Sequence, residues 1–145
     1  MLNKRKRNEF RDVGLLILRI GLGIMFIIHG YPKMFGGPEV WSEIGTAVQY
    51  LGIDFAPMFF GFMAGVTEFF GGIFLILGLF FSPTVFFLLV VMLVAAAQHL
   101  GAGDSFASYS HSIEMGVVFL SLIFIGPGTY SLDKKLQEKR RHHRY

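Results

Sequence analysis

Four long apolar runs are the feature that most limits what this chain can fold into. They cover roughly residues 13–35, 57–79, 83–100 and 109–125, and each is close to the ~20 residues that a helix needs to cross a bilayer. Only 16% of the residues are charged, whereas a soluble domain carries about 25%. The sequence therefore predicts an all-α integral membrane protein with four transmembrane helices.

The links between these runs predict how the spans are arranged. The links around residues 80–83 and 101–108 are short, which favours an antiparallel four-helix bundle. The longer link, residues 36–56, has apolar residues near helical spacing. This predicts a short amphipathic helix on the outer membrane surface, with Trp41 and Tyr50 at the lipid headgroups.

Glycines indicate which faces of the spans pack together. Gly23 and Gly30 share one arc of span 1, and Gly61, Gly65 and Gly72 share one arc of span 2. Glycine lets two helix backbones approach closely in lipid, where packing drives association. We expect close packing along these arcs.

Basic residues are concentrated at the two ends of the chain. Of the 13 Lys and Arg residues, only Arg19 and Lys33 lie outside residues 1–12 and 132–145. This predicts two basic cytoplasmic tails that flank a transmembrane domain at 13–131, in a bacterial-type inner membrane. Tails beside membrane spans favour anionic lipid, rather than nucleic acid, as their partner.

Glu68 lies near the middle of span 2, on the same arc as the glycines, and Arg19 lies about two turns into span 1. The two differ in depth by only about 7 Å. One interpretation is a structural ion pair between spans 1 and 2. The other is a carboxylate of adjustable pKa that handles protons or binds a polar ligand group.

Five further polar side chains fall in the outer half of the membrane. They come from three spans, so we expect them to converge at one depth with Glu68; they are His29, Lys33, His99, His111 and Glu114. Taken singly, each also has a structural interpretation, such as an interfacial position, a helix cap or a lysine that reaches the surface.

Three chemistries fit such a cluster. Imidazole and carboxylate groups can hydrogen-bond the oxygens of a quinone and move its protons. A divalent metal and haem are less well matched, because the sequence lacks paired Glu-x-x-His motifs and an evident histidine pair. The chain has no cysteine, so a redox role requires a bound group or a partner.

Three stretches of the sequence resemble the DoxX family of small bacterial membrane proteins. They are "LRIGLGIMFIIHGYPKMFG" (Leu18–Gly36), "TEFFGGIFLILGLF" (Thr67–Phe80) and "GPGTYSLDKKL" (Gly126–Leu136). The resemblance implies a four-helix inner-membrane protein related to quinone-linked oxidoreductase systems. It also implies that Arg19, His29, Lys33 and Glu68 occupy positions typical of the family, and it assigns them no agreed mechanism.

Our first functional hypothesis is a membrane oxidoreductase component with a quinone-like ligand in the outer half of the bundle. Glu68 and His29 exchange protons, Arg19 positions Glu68, and the remaining polar residues line the mouth; these are Lys33, His99, His111 and Glu114. The alternatives are a scaffold or assembly subunit that recruits a redox partner through its basic tail, and a small-solute or proton pathway. Further copies of the chain are another expected partner.

Overall fold

The computed structural model describes residues 3–142 as six α-helices and one 3-10 helix. In chain order they are α1 (Lys4–Phe35), α2 (Pro38–Gly45), the 3-10 helix (Thr46–Leu51), α3 (Pro57–Leu77), α4 (Phe81–Gly101), α5 (Phe106–Ile125) and α6 (Leu132–His142). Four of them, α1, α3, α4 and α5, are long and apolar enough to cross a membrane. The predicted all-α membrane fold is confirmed.

The described part of the chain begins and ends on the same side of the bundle. Helix α1 runs without a break from Lys4, through the predicted tail 1–12 and into the first span. The predicted tail 132–145 is helical as far as His142, and residues 1–2 and 143–145 lie outside the described residues. We call this side of the bundle the terminal side, and the side that carries α2 the distal side.

Helices α1 and α3 pack with their backbones in direct contact. A Cβ atom on Gly23 would lie 2.5 Å from the carbonyl oxygen of Gly72, and one on Gly30 would overlap the backbone nitrogen of Phe69. A Cβ atom on Gly65 would lie 2.8 Å from the backbone nitrogen of Met34. The predicted close packing at these glycines is confirmed, and it fixes α1 against α3 along most of its length.

The apolar core lies mainly in the terminal half of the bundle. Its most deeply buried side chains come from the terminal ends of α3, α4 and α5 and from the middle of α5; they are Leu75, Phe81, Val85, Leu88, Leu122 and Phe119. Phe26 of α1 contacts Phe119 edge-on, with ring centroids 5.1 Å apart. These side chains fill the interior of the terminal half.

Helix α2 and the 3-10 helix pack against the bundle, and their aromatic residues have partners within the protein. The indole Nε1 of Trp41 donates a hydrogen bond of 2.8 Å to the carbonyl oxygen of Lys33, and its ring contacts Phe62 at 4.9 Å. The ring of Tyr50 lies against Gly101. The position of Trp41 and Tyr50 at the lipid headgroups stays a prediction, and within the protein both side chains pack onto neighbouring helices.

Candidate ligand-binding site

Lys33 and Glu68 form an ion pair between α1 and α3. The Nζ atom of Lys33 lies 2.7 Å from Oε1 of Glu68. The side chain of Glu68 is 2% exposed and that of Lys33 is 35% exposed, so the carboxylate is enclosed while the ammonium retains some access. Ionisable groups at membrane depth are costly unless they are paired or face an interior cavity, and this pair meets that requirement.

The close contact of α1 and α3 determines where this pair forms. Lys33 follows Gly30 by three residues, and Glu68 follows Gly65 by three residues. A Cβ atom on Gly65 would lie 2.9 Å from the carbonyl carbon of Lys33. Because no side chain separates the two backbones here, the lysine and glutamate side chains can reach each other along the same seam.

One oxygen of Glu68 lacks a partner. Its Oε2 atom is buried and makes no hydrogen bond within the part of the chain that the structure describes. Buried carboxylate oxygens almost always accept a hydrogen bond from the protein or from an ordered water. Glu68 and Lys33 both line a cavity of about 330 Å³. The residue that carries the unpartnered oxygen therefore belongs to the wall of that cavity.

The cavity lies in the distal half of the bundle, between α3 and α4, and α2 and the 3-10 helix close one side. Besides the ion pair, two polar side chains line it, Thr67 and Gln98. The remaining wall is aliphatic and aromatic and includes Ile44, Ala47, Val48, Phe59, Phe60, Met63, Ala64, Phe87, Val90, Val91, Val94 and Ala95. Small-molecule sites typically enclose about 300–1,000 Å³ with apolar walls and a few polar groups. The cavity matches that description at the lower end of the size range.

The cavity opens sideways toward the lipid. Phe59, Met63 and Phe87 belong to its wall and are also exposed on the outer surface of membrane-spanning helices. A second, apolar groove of about 320 Å³ shares Thr67 and Phe87 with it and continues between α3 and α4 toward Pro83 on the terminal side. A lipophilic molecule can therefore reach the Lys33–Glu68 pair from the membrane.

Arg19 does not contact Glu68, so the predicted pair between them does not form. Its guanidinium is buried and donates to the backbone carbonyl oxygens of Pro127, Tyr130 and Ile76, the last two at 2.9 and 3.3 Å. Side chains on a helix lean toward its N-terminus. Arg19 on α1 therefore points to the terminal side, whereas Glu68 on the antiparallel α3 points to the distal side.

The closing motif of the sequence has a structural role beside Arg19. The carboxylate of Asp133 accepts hydrogen bonds from the backbone N–H groups of Phe80 and Phe81, at 3.0 and 2.8 Å, at the start of α4. The hydroxyl of Thr129 donates to Asp12 of α1 at 2.8 Å. These bonds join α6 to α4 and the loop 126–131 to α1, far from the cavity.

The polar residues of α1 and α5 form a separate group. The rings of His29 and His111 lie 6.1 Å apart between centroids, and both residues and Glu114 are exposed. The predicted pocket that joins His29, Glu68 and Glu114 is therefore wrong. About 40° around α1 separates Lys33, which turns to α3, from His29, which turns to α5.

His99 is also outside the cavity. Its Nδ1 atom lies 2.7 Å from a carboxylate oxygen of Asp104, across the short link between α4 and α5. The preceding residue, Gln98, faces the cavity instead. Of the seven site residues that the sequence suggested, the structure brings Lys33 and Glu68 together in the cavity and places the other five elsewhere.

Sequence reasoning missed several residues that matter here. Thr67 and Gln98 are uncharged polar residues inside apolar runs, which is the signal that could have marked them as cavity-facing. The indole of Trp41 donates a hydrogen bond to the backbone carbonyl oxygen of Lys33. The position of Trp41 in the sequence does not indicate that bond. Asp133 lies in the closing motif, but its capping role appears only when α6 is seen beside α4.

Comparisons with known proteins agree with this fold. A DoxX family profile matches residues 14–100. Inner membrane protein YphA of Escherichia coli K12 is 32% identical over 135 residues, which cover 86% of this chain and 91% of YphA. An uncharacterised protein of Haemophilus influenzae is 34% identical over 137 residues, which cover 90% of this chain and 96% of that protein.

A more partial match is CatD of Bacillus subtilis 168, a candidate oxidoreductase by its name. It is 35% identical over 72 residues, which cover 50% of this chain and 48% of CatD. No solved structure matches the chain significantly. The region matched by the family profile contains every residue of the cavity wall, from Lys33 to Gln98.

Proposed function

The chain belongs to the DoxX family and is a multi-pass bacterial inner membrane protein, and from that premise we propose that it is a component of a membrane oxidoreductase that binds a quinone-like ring beside Glu68. The observation that carries the proposal is that Glu68, whose Oε2 atom is buried and has no partner among the described residues, lines a lipid-open cavity. A ligand that enters from the membrane and donates a hydrogen bond to this oxygen completes the site.

The polar groups of the cavity suit a ring that carries oxygen atoms. The ammonium of Lys33 has more N–H donors than its bond to Glu68 uses, so it can also donate to a carbonyl oxygen of the ring. The free oxygen of Glu68 can accept from a hydroxyl of the reduced ring, and the amide of Gln98 can do either. The site thus offers partners to both the oxidised and the reduced form.

The walls of the cavity favour a lipophilic ring over a hydrophilic substrate. Phe59, Phe60 and Phe87 provide aromatic surface in the cavity wall, and planar rings pack well against such side chains. The low polarity of the wall also strengthens the electrostatic contact between the pair and a bound oxygen.

Glu68 is the residue that would hold and move protons. Interconversion of a quinone and a quinol transfers electrons and protons in equal number, and a buried carboxylate can accept or donate those protons. The Nζ atom of Lys33 lies 2.7 Å from the other carboxyl oxygen of Glu68, Oε1. The chain has no cysteine, so we assign the electrons to a redox partner, soluble or membrane-bound.

We propose that both termini face the cytoplasm. The terminal side carries the basic residues of the start of α1 and of α6, and basic residues flanking membrane spans are concentrated on the cytoplasmic side. The link at 36–56 and the link at 102–105 contain Glu39, Glu43, Asp54 and Asp104 and no Lys or Arg. The cavity then lies in the outer half of the membrane.

Ligand extraction and ligand-dependent stability test the proposal together. The full chain, purified from its native membrane, is extracted and the extract is analysed for quinones by mass spectrometry. The same protein is then heated with increasing decylubiquinone. We expect a co-purified quinone and a saturable rise in Tm, because the ligand binds the folded state.

Two neighbouring alanines on α4 supply a matched pair of variants. Ala95 lines the cavity and Ala97 does not, and both are partly buried. Ala95→Leu narrows the cavity and is expected to abolish the decylubiquinone-dependent rise in Tm, whereas Ala97→Leu retains it. If wild type carries no quinone and its Tm does not respond to decylubiquinone, the proposal fails. Equal responses of the two variants would place the ligand outside this cavity.

A further inference from the structure

A stripe of polar and small residues runs along the outward face of α5, on the opposite side of the bundle from the cavity. Ser110, Glu114, Val117 and Ser121 recur at helical spacing on one face. Glu114, Val117 and Ser121 are exposed. His111 borders the stripe on the side of α1, where its ring lies 6.1 Å from that of His29.

Glu114 lies deep within the span. It follows Phe106, the first residue of α5, by eight residues, so it lies about 12 Å from that end of the helix. It has no hydrogen-bond or salt-bridge partner within residues 3–142, as described. Carboxyl groups at such depth are found facing a bundle interior or paired with another polar group, and this one does neither in the isolated chain.

The rest of the lipid-facing surface at similar depth is apolar. On α3 and α4, the exposed residues of the distal half include Phe62, Met63 and Leu93. The concentration of polar groups on the α1–α5 side is therefore specific to that face. A lipid chain offers no hydrogen-bond partner to a carboxyl or an imidazole, and a second polypeptide that covers this face would supply those partners.

We infer that the α5 stripe is the interface of a two-fold dimer of this chain within the membrane. The patch contains both a carboxyl group and two imidazoles, so it is complementary to itself. In a two-fold interface, a hydrogen-bond donor of the first copy can meet an acceptor of the second copy, and the same contact repeats with the two copies exchanged. Glu114 of one copy thus meets an imidazole of the second copy at either side of the axis.

Small residues on the stripe allow the two copies to approach. Ser110 and Ser121 lie about three turns apart on the face that carries Glu114, and Val117 lies between them. The hydroxyl of Ser121 is already bonded to the carbonyl oxygen of Val117 at 2.8 Å, so it can be buried without a further partner. Membrane helices associate through such small residues and through polar groups between them.

The absence of cysteine makes disulfide cross-linking a direct test. Single cysteines are introduced in the full chain by Ser110→Cys, Val117→Cys and Ser121→Cys, and each variant is reconstituted in liposomes and oxidised. The matched control is Leu93→Cys on α4, since Leu93 is 58% exposed and Val117 is 60% exposed. We expect at least one stripe cysteine to give a disulfide-linked dimer and the control to remain monomeric.

A second substitution tests the role of the carboxyl group. In the variant that cross-links best, Glu114→Leu is expected to reduce the cross-linked fraction roughly tenfold at low protein-to-lipid ratio, because it removes the polar contact. Cross-linking of all stripe cysteines at no more than the Leu93→Cys level overturns the dimer. Efficient cross-linking that is unchanged by Glu114→Leu overturns the assignment of Glu114 to the interface.

Discussion

The side chains of Lys33 and Glu68 lean toward each other along the seam between α1 and α3, and their Nζ and Oε1 atoms are 2.7 Å apart. Side chains on α1 lean toward the terminal side, and those on the antiparallel α3 lean toward the distal side. Lys33, which lies distal to Glu68, therefore points at it. The same pair supports the packing of the two helices and forms the polar part of the cavity wall.

The ion pair predicts a non-additive effect on stability. Lys33→Met leaves a buried carboxylate without its partner, and we expect the free energy of unfolding to fall by about 3 kcal/mol. The double variant Lys33→Met, Glu68→Leu removes both charges and is expected to be more stable than Lys33→Met alone. Denaturant unfolding in detergent, followed by the fluorescence of the single tryptophan, Trp41, measures these two variants and Glu68→Leu alone. If the double variant loses the sum of the two single losses, the groups are not coupled.

The backbone contact between α1 and α3 at their glycines predicts that two chemically identical substitutions on α1 change the free energy of unfolding by different amounts. Gly30→Ala places a methyl group into the backbone of Phe69, and we expect it to lower the free energy of unfolding by about 1–3 kcal/mol. Gly21→Ala has no atom within 4 Å of the new methyl group and should be neutral or stabilising by up to about 1 kcal/mol. Thermal unfolding in the same detergent compares them. Equal losses would mean that α1 and α3 do not touch at Gly30.

Substitution of Arg19 is expected to lower the stability of the fold without changing ligand binding. Arg19→Met leaves the carbonyl oxygens of Pro127 and Tyr130 without their donors, which we expect to cost about 2 kcal/mol or more. The control is Arg5→Met, since Arg5 is exposed and makes only a surface pair. The decylubiquinone-dependent rise in Tm should persist in Arg19→Met. Its loss in a folded variant would place Arg19 in the ligand site.

The capping bonds from Asp133 are expected to protect the backbone amides at the start of α4 from hydrogen exchange. Asp133→Ala removes the acceptor of the Phe80 and Phe81 N–H groups, a capping interaction that contributes about 1 kcal/mol. Hydrogen–deuterium exchange should accelerate at these two amides by about fivefold or more, since that free energy protects them. Glu138→Ala, at an exposed position of α6, is the control and should leave their exchange unchanged. Unchanged exchange in Asp133→Ala would contradict the cap.

The sequence predicted the spans and their packing faces because both follow from distances along one helix. The length of an apolar run is compared with the membrane thickness, and the glycine arcs follow from the helical repeat. Gly30 of α1 and Gly65 of α3 illustrate this, since the position of each glycine along its own helix was enough to predict backbone contact there. Helix α2 was likewise expected from the spacing of apolar residues in its own segment.

The candidate site was predicted only in part because it depends on relations between helices. Depth along a span placed His29, Glu68 and Glu114 at similar levels, but depth does not say which neighbour each side chain faces. Arg19 was within reach of Glu68 by distance, and the opposite lean of side chains on antiparallel helices keeps them apart. Gln98 entered the cavity wall because α4 lies beside α3, an adjacency that residue spacing does not determine.

Photolabelling with a short-tailed azidoquinone tests most directly whether the cavity beside Glu68 binds a quinone-like ring. The reconstituted wild-type chain is illuminated with the probe, digested and mapped by mass spectrometry, with and without excess decylubiquinone. The proposal predicts labels on cavity-wall residues such as Met63, Phe87 and Gln98, which disappear on competition. Labels confined to the α1–α5 face around His29 and His111, or labels that decylubiquinone does not displace, would contradict it.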